Sequence, residues 1–341
     1  METFAAALFK KNLIKVLKMN FPKLKRGQVL VKIKYSSICH TQLQEIQGLR
    51  GKDKFLPHCL GHEATGVTLS CGPGVKKVKK NDKICISWLN SKGINSGGTF
   101  YSFNKKKINA GPVNTFSNLA IISENKIIKL PKNANLKKSV LLGCAIPTAF
   151  NAVFNTLKES NKENIIIFGA GGLGLACIFA AKKAGYKKIF AVDKFLNKLK
   201  AAKKFGATNI IHFRSGKENK QIKKSKNFFK NAIECTGSLK VMKIALNSVE
   251  NFGGKVIIIG NYPVHKTFPV NPWNFIMGKS VSGAWLEKFN YDLYFKKFYK
   301  YAEKFPWKEY FDSKSYKLKN IDLALKDFKN GKVIRPLIEM Y

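Results

Sequence analysis

The run Gly169-Ala170-Gly171-Gly172-Leu173-Gly174 follows an apolar stretch, Ile165 to Phe168, and leads into an alanine-rich segment. Asp193 closes the next apolar run, 19 residues beyond Gly174. Glycines at this spacing are weak evidence alone, but strand, helix and acid in register make a dinucleotide-binding fingerprint. Gly169 permits the tight turn. Gly171 lets backbone N–H groups at the helix start, where Gly172 and Leu173 stand, approach a pyrophosphate, and Gly174 lets helix pack closely on strand. Asp193 would accept hydrogen bonds from ribose hydroxyls and repel a 2′-phosphate, which favours NAD over NADP. Lys198 reads equally as a ribose contact or a solvated helix lysine.

A second set of residues suits a metal. Ile38-Cys39-His40-Thr41, Leu60-Gly61-His62-Glu63 and Leu142-Gly143-Cys144 lie far apart in the chain. Two thiolates and an imidazole suit a catalytic zinc with one position left open. Taken singly, each cysteine also reads as a small core residue, and His62 as a hydrogen-bonded turn residue.

These side chains need two kinds of scaffold. Residues 1 to about 145 read as strand-rich: Val29 to Tyr35 alternates in polarity, and turns such as Gly72-Pro73-Gly74 recur. From Asn164 the pattern changes to continuous apolar runs, Ile165 to Phe168, Ile189 to Val192, Ala232 to Cys235 and Val256 to Ile259, separated by helical segments. Runs of that kind are parallel strands covered by helices on both faces, a doubly wound α/β unit. Ser139 to Phe154 reads as a turn entering a helix that bridges the halves, with a cleft expected beside it. The tail predicts a helix from Tyr291, another over Ile321 to Phe328, and a strand over Val333 to Ile338.

Composition narrows the class. The 341 residues, 45% hydrophobic, suffice for one large or two medium cores and exclude a disordered tail protein. No apolar run approaches a membrane span, and the N-terminus lacks the basic region of a secretory signal, so a cytoplasmic protein is expected. Seven scattered cysteines without a Cys-x-x-Cys pair argue against a disulfide framework. The net charge of +42 suggests an acidic partner, yet 58 of the 62 basic residues are lysines spread along the whole chain. Readers of nucleic-acid sequence favour arginine's bidentate fork, so compositional bias explains the charge better and no nucleic-acid or membrane partner is expected.

Taken together, the motifs resemble the zinc-dependent alcohol dehydrogenases of the medium-chain dehydrogenase/reductase family, almost end to end. That resemblance implies a Rossmann doubly wound sheet over 147–286, binding NAD, and a β-rich, GroES-like catalytic domain from 1–146 and 287–341. It implies an alcohol dehydrogenase-like oxidoreductase passing a hydride between an alcohol or polyol and NAD. Cys39, His62 and Cys144 would hold the catalytic zinc, the Cys₂His set known for alcohol dehydrogenase. Glu63 matches an acid able to approach the metal, Thr41 the hydroxyl that takes the alcohol proton, and His40 and Arg335 two pyrophosphate contacts. Homodimers or homotetramers are implied, joined through the edge strand near Ser280 to Ala284.

Three departures stand out. Gln42 replaces the acid that usually orients the zinc-binding histidine, which predicts weaker support of the metal. Gln44 occupies the place of a relay histidine; an amide cannot shuttle protons at neutral pH, so the relay is expected to run through water or the ribose. No cysteine lies between Trp88 and Phe116, where many members hold a structural zinc, so one zinc per chain is predicted, with a lysine-rich hairpin in that region. Trp88, Phe116 and Trp285 are candidate pocket residues as well as candidate core residues. Two alternatives complete the field: a zinc-free quinone or enone reductase on the same fold, and a basic, non-catalytic nucleic-acid or anion-binding protein.

Overall fold

The computed structural model describes residues 1–158, 160–213, 222, 228–286, 291–311 and 314–340. It divides into two compact units, Met1–Cys144 with Glu287–Lys304 and Phe311–Tyr341, and Ala145–Leu286 with Phe305–Tyr310.

The first unit is built on two sheets. Five strands, Glu2–Lys10, Leu13–Asn20, Thr99–Phe103, Lys106–Gly111 and His58–Cys59, close into a barrel. The expected lysine-rich hairpin is its Thr99–Phe103 and Lys106–Gly111 pair. Asn104 and Lys105 at its tip both take positive φ, +46° and +64°, the geometry that matches a two-residue turn to strand twist. A seven-stranded sheet centres on Gln28–Ser37, paired with Glu63–Cys71 on one side and Leu119–Ser123 and Leu337–Glu339 elsewhere along its length. The alternation in Val29 to Tyr35 sends Val29, Val31 and Ile33 into a core with Ile84, Ile86, Ile122 and Ile338. Each fully buried side chain of this kind contributes roughly 1.5–3 kcal/mol.

The tail strand is shorter and later than the sequence suggests, Leu337–Glu339 rather than Val333 to Ile338. Pro336 has no N–H to give a ladder, so pairing begins only beyond it. The segment Ser139 to Phe154 is, as expected, a turn entering a helix. A 3₁₀ turn over Val140–Gly143 ends at Cys144, whose φ −152° and ψ −67° leave helical space, and a new helix begins at Ala145.

The second unit carries six parallel strands in the order Asn209–His212, Lys188–Asp193, Asn164–Phe168, Asn231–Glu234, Lys255–Ile258 and Ser280–Gly283. Numbered along the chain this is 3-2-1-4-5-6, the Rossmann order, whose switch point falls between the Asn164–Phe168 strand and its neighbour Asn231–Glu234. Helices Gly172–Lys183, Leu196–Phe205 and Leu239–Ser248 cover it. Phe305 packs edge-on against Phe179, Phe205 and Tyr310 at centroid distances of 5.0–5.1 Å, which holds the short Phe305–Tyr310 segment to this unit.

Candidate metal centre and dinucleotide turn

Cys39, His62 and Cys144 converge within the first unit. One ligand atom from each lies within 4.8 Å of the others, and no other such cluster exists among the described residues. Local backbone chemistry sets each one. Cys39 is the extended N-cap of helix His40–Ile46, with φ −92° and ψ 153°. His62 follows Gly61, whose φ of +96° turns the chain between two strands. Cys144 follows Gly143, where a Cβ would stand 2.6 Å from Glu63 Cβ and 2.7 Å from the Ile86 carbonyl oxygen. Only glycine lets that turn approach closely enough to bring the third ligand in.

Gln42 links two of these residues. Its Oε1 accepts from the Cys39 backbone N–H at 2.9 Å, and its side-chain nitrogen contacts His62 Nδ1. The three-residue offset from Cys39 to Gln42 is that of a capping box, a signal legible in the sequence but read there only as a lost acid. His62 Nε2 is buried without a hydrogen-bond partner. An unsatisfied ring nitrogen is costly in a protein interior, and this one lies among two sulfurs, so the donor set fits zinc with Nε2 as the imidazole ligand. The hydrogen bond between the two sulfurs holds the Cys39 thiol well below its ordinary range, against burial and with help from Arg335 and His62. The same bond, together with burial, pushes the Cys144 thiol up. A metal bound here would take the place of the thiol protons.

Around this corner the structure places the other predicted residues as follows. The Thr41 hydroxyl is hydrogen-bonded to the Cys39 sulfur at 3.6 Å. Glu63 is buried, accepts from Ser37 Oγ at 2.6 Å and is ion-paired with Arg335. Arg335 is itself 3% exposed and also donates through Nε to Ser37 Oγ at 3.3 Å. Its guanidinium neutralises the acid that follows His62 in the chain. Gln44 is buried, whereas His40 is exposed with its ring edge-on to Phe328 at 6.2 Å. Phe116, a candidate pocket residue, belongs to the hydrophobic core, while Trp88 is half-buried and Trp285 68% exposed.

The dinucleotide turn lies in the second unit and is built from backbone. Gly169 takes φ +92°, and a Cβ on Gly174 would stand 1.7 Å from the Gly169 carbonyl oxygen. Gly171, the N-cap of helix Gly172–Lys183, meets nothing within 4 Å of its imagined Cβ. Neither φ nor packing demands glycine there; open space before the free N–H groups of Gly172 and Leu173 fits an approaching phosphate. Asp193 accepts from Ala170 N–H at 2.7 Å and Phe195 N–H at 2.9 Å. Its carboxylate therefore braces the turn while retaining lone pairs for a ribose. Lys198 stacks over the Phe195 ring at 4.8 Å.

Two family profiles match in the same places: an alcohol dehydrogenase GroES-like domain over residues 25–132 and a zinc-binding dehydrogenase domain over 172–304. The chain belongs to the zinc-dependent alcohol dehydrogenases of the medium-chain family. It is 29% identical over 317 residues to S-(hydroxymethyl)glutathione dehydrogenase of Photobacterium damsela subsp. piscicida, covering 83% of this chain and 85% of that one. The enzyme of the same name from Escherichia coli O1:K1 is 28% identical over 301 residues, 80% of this chain and 81% of its own. Among solved structures, benzyl alcohol dehydrogenase from Acinetobacter calcoaceticus superposes over all of both chains with a TM-score of 0.83 at 25% identity. A zinc-binding-domain alcohol dehydrogenase from Burkholderia ambifaria gives 0.86 at 23% identity, over 100% of this chain and 99% of its own, a likeness of fold. The protein is thus an oxidoreductase of the hydride-transferring, alcohol dehydrogenase class. Among the described residues no single helix is long and apolar enough to cross a membrane.

Proposed function

We propose that this chain is a cytoplasmic, NAD-linked dehydrogenase holding one zinc through Cys39, His62 and Cys144. The observation that carries the reading is the convergence of one ligand atom each from Cys39, His62 and Cys144 to within 4.8 Å of one another, with His62 Nε2 buried and without a hydrogen-bond partner. The segments 1–146 and 287–341 supply the catalytic domain, and 147–286 bind the dinucleotide. When bound, zinc supplies Lewis acidity toward the alcohol oxygen and the nicotinamide accepts the hydride.

The chain's own groups do the rest. Thr41, beside Cys39, accepts the proton that leaves the substrate hydroxyl. Gln42 fixes the ring plane of His62, and Glu63, neutralised by Arg335, keeps an acid near the ligands without adding a net charge. Gly169 to Gly174 present backbone N–H groups to phosphates. Asp193 carries the preference for NAD over NADP, with Lys198 at the edge of the ribose site, while His40 and Arg335 assist the pyrophosphate. The exposed strand Ser280–Gly283, at the end of its sheet, serves for pairing with a second copy into a dimer or tetramer.

The named relatives and the excess of lysine support an anionic alcohol as substrate, drawn in by long-range attraction. Purified protein supplied with zinc, NAD or NADP and a panel of aliphatic, aromatic, polyol and hydroxymethyl-thiol substrates tests the reading. Reduction of NAD that a chelator abolishes is expected, with kcat/KM for anionic substrates falling as salt rises. No turnover across the whole panel would sink it.

A further inference from the structure

Strand Asn231–Glu234 runs parallel to Asn164–Phe168, with Glu234 opposite Phe168, the residue before Gly169. Glu234 therefore ends its strand at the switch point, on the side of it away from Asp193. Its carboxylate is fully buried, a costly place for a charge unless its oxygens are satisfied. Oε1 accepts Thr236 N–H at 2.6 Å, Gly237 N–H at 3.0 Å and the Thr236 hydroxyl. Gly237 N also lies 3.3 Å from Oε2. Thr236 Oγ1 accepts in turn from Ser238 N–H at 3.1 Å, at the N-cap of helix Leu239–Ser248. A carboxylate offers about four lone-pair sites, enough to gather the successive N–H groups of a turn. Burial raises the Glu234 carboxyl, and the hydrogen bonds from Thr236 and Gly237 oppose that rise.

The turn 235–238 held in this way presses on two others. A Cβ on Gly169 would stand 2.9 Å from Thr236 Cγ2, so the Thr236 methyl seats on the first glycine of the dinucleotide turn. A Cβ on Gly260 would stand 2.6 Å from Glu234 Oε2 and 2.3 Å from Gly237 N. A Cβ on Gly237, where φ is +68°, would stand 1.9 Å from the Asn261 carbonyl oxygen. Gly260 N–H and Ile259 N–H both donate to the Glu234 backbone carbonyl, at 2.9 and 3.0 Å. Three turns that follow neighbouring strands thus meet around one acid, at the carboxyl ends where an open parallel sheet takes its ligand. With Asp193 at the adenosine ribose, the strands from Asn231 onward serve the other half of a dinucleotide, its nicotinamide.

We propose that Glu234 is a positioning residue for the nicotinamide half of the dinucleotide site. Through Thr236 and Gly237 it holds the turn 235–238 between Gly169 and Gly260, so that the nicotinamide ribose and ring meet a fixed floor. The inference rests on the NAD-linked dehydrogenase reading of this sheet. Glu234 is itself too buried to touch a cofactor and acts only through where it puts the turn. Its side-chain hydrogen bonds go to Thr236 and Gly237, whereas Asp193 braces the adenosine half through Ala170 and Phe195. Loss of the Glu234 acid therefore separates the two ends of the cofactor. The adenosine end keeps its partners, while hydride transfer, in which a misplacement of about 1 Å costs on the order of 100-fold, fails first.

The test uses the full-length protein and two probes, 5′-AMP and NAD, with binding followed by calorimetry. Glu234→Ala should weaken NAD by about 10- to 30-fold and lower kcat by about 100-fold on an alcohol that the wild type oxidises. Binding of 5′-AMP should stay within about twofold of wild type. Thr236→Val keeps the methyl group against Gly169 and removes the hydroxyl, and should weaken NAD by about 3- to 10-fold with 5′-AMP again unaffected. Glu234→Gln returns an acceptor oxygen to the Thr236 and Gly237 N–H groups and should recover most of the NAD affinity. Loss of 5′-AMP and NAD by the same factor would make Glu234 a general support of the sheet and overturn the proposal. Unchanged NAD affinity and kcat in Glu234→Ala would do the same, and should that variant not fold, the split between the two probes in Thr236→Val decides. Wild-type protein that binds neither probe sinks the dehydrogenase reading and this inference together, whereas wild-type binding of both with no split in the variants sinks this inference alone.

Discussion

The two halves of the chemistry are made in opposite ways. The metal corner is an assembly of side chains from three distant stretches, each braced by another: Gln42 on His62, Arg335 on Glu63, Ser37 on both members of that pair. The dinucleotide turn is made by leaving side chains out, so that Gly174 can touch Gly169 and Gly171 can face open space. Chemistry that needs a donor atom at a fixed place demands packed support, whereas chemistry that needs a backbone N–H demands room. Damage to the first should show in metal content, and damage to the second in cofactor binding.

The sharpest break is His62→Ala. It should reduce bound zinc below one per several chains and lower turnover by about 10⁴, roughly 5.5 kcal/mol of transition-state stabilisation, while NAD binding followed by fluorescence is unaffected. Zinc retained at one per chain would refute the assigned ligand set. Next, Arg335→Leu strands the buried Glu63 carboxylate and should cost about 3–5 kcal/mol in denaturant unfolding. An equal loss in NAD affinity with no loss of stability would place Arg335 at the phosphate rather than on Glu63.

Within the turn the contrast can be made at two glycines. Gly174→Ala forces a Cβ against the Gly169 carbonyl and should cost about 3 kcal/mol of stability. Gly171→Ala should fold normally yet weaken dinucleotide binding by roughly tenfold, about 1.4 kcal/mol. Calorimetry of both variants decides whether room or conformation is what each glycine provides. At the metal corner, Gln42→Leu should loosen zinc by about 10- to 100-fold in a chelator competition, and Gln42→Glu should recover it.

The smallest effect concerns a third region that sharpens the contrast. Glu124 is buried and accepts three backbone N–H groups, from Lys76 at 2.7 Å and Lys77 and Ile94 at 2.8 Å. Burial alone would raise its carboxyl, but those N–H groups and the Lys77 charge hold it below the ordinary value. A depressed carboxyl contributes stability that is complete above the ordinary carboxylate pKa, about 4.3, and fades as pH falls through the lower folded-state value. Glu124→Gln should therefore cost about 1–2 kcal/mol near pH 7, a difference that shrinks below pH 4 in urea unfolding. A difference independent of pH would remove the charge from the explanation.

Local patterns were the legible part of the sequence. The glycine fingerprint, the apolar parallel strands and the hairpin around Asn104-Lys105 are set by neighbours along the chain, and their positions follow from period and turn chemistry. The candidate metal ligands were legible as residue types and became a set only through the likeness to a family, because Cys39, His62 and Cys144 meet through folding. What escaped was tertiary pairing. Arg335 as the partner of Glu63 joins positions 272 residues apart, and no periodicity announces that contact. Gln42 was visible as a departure, yet its bond to the Cys39 N–H depends on where the helix begins.

Glu124 has a consequence for how such a protein meets metal scarcity. It gathers the backbone at Lys76, Lys77 and Ile94, while Lys77 Nζ reaches Ser91 Oγ at 2.6 Å and Lys126 Nζ reaches the Trp88 carbonyl at 2.7 Å. Amide, ammonium and carboxylate groups thus tether the stretch from Trp88 to Ile94, which contains no cysteine to oxidise. The chain's own groups hold the shape there. Chelation of zinc is therefore expected to leave this stretch as protected from proteolysis as it is in the metal-loaded chain.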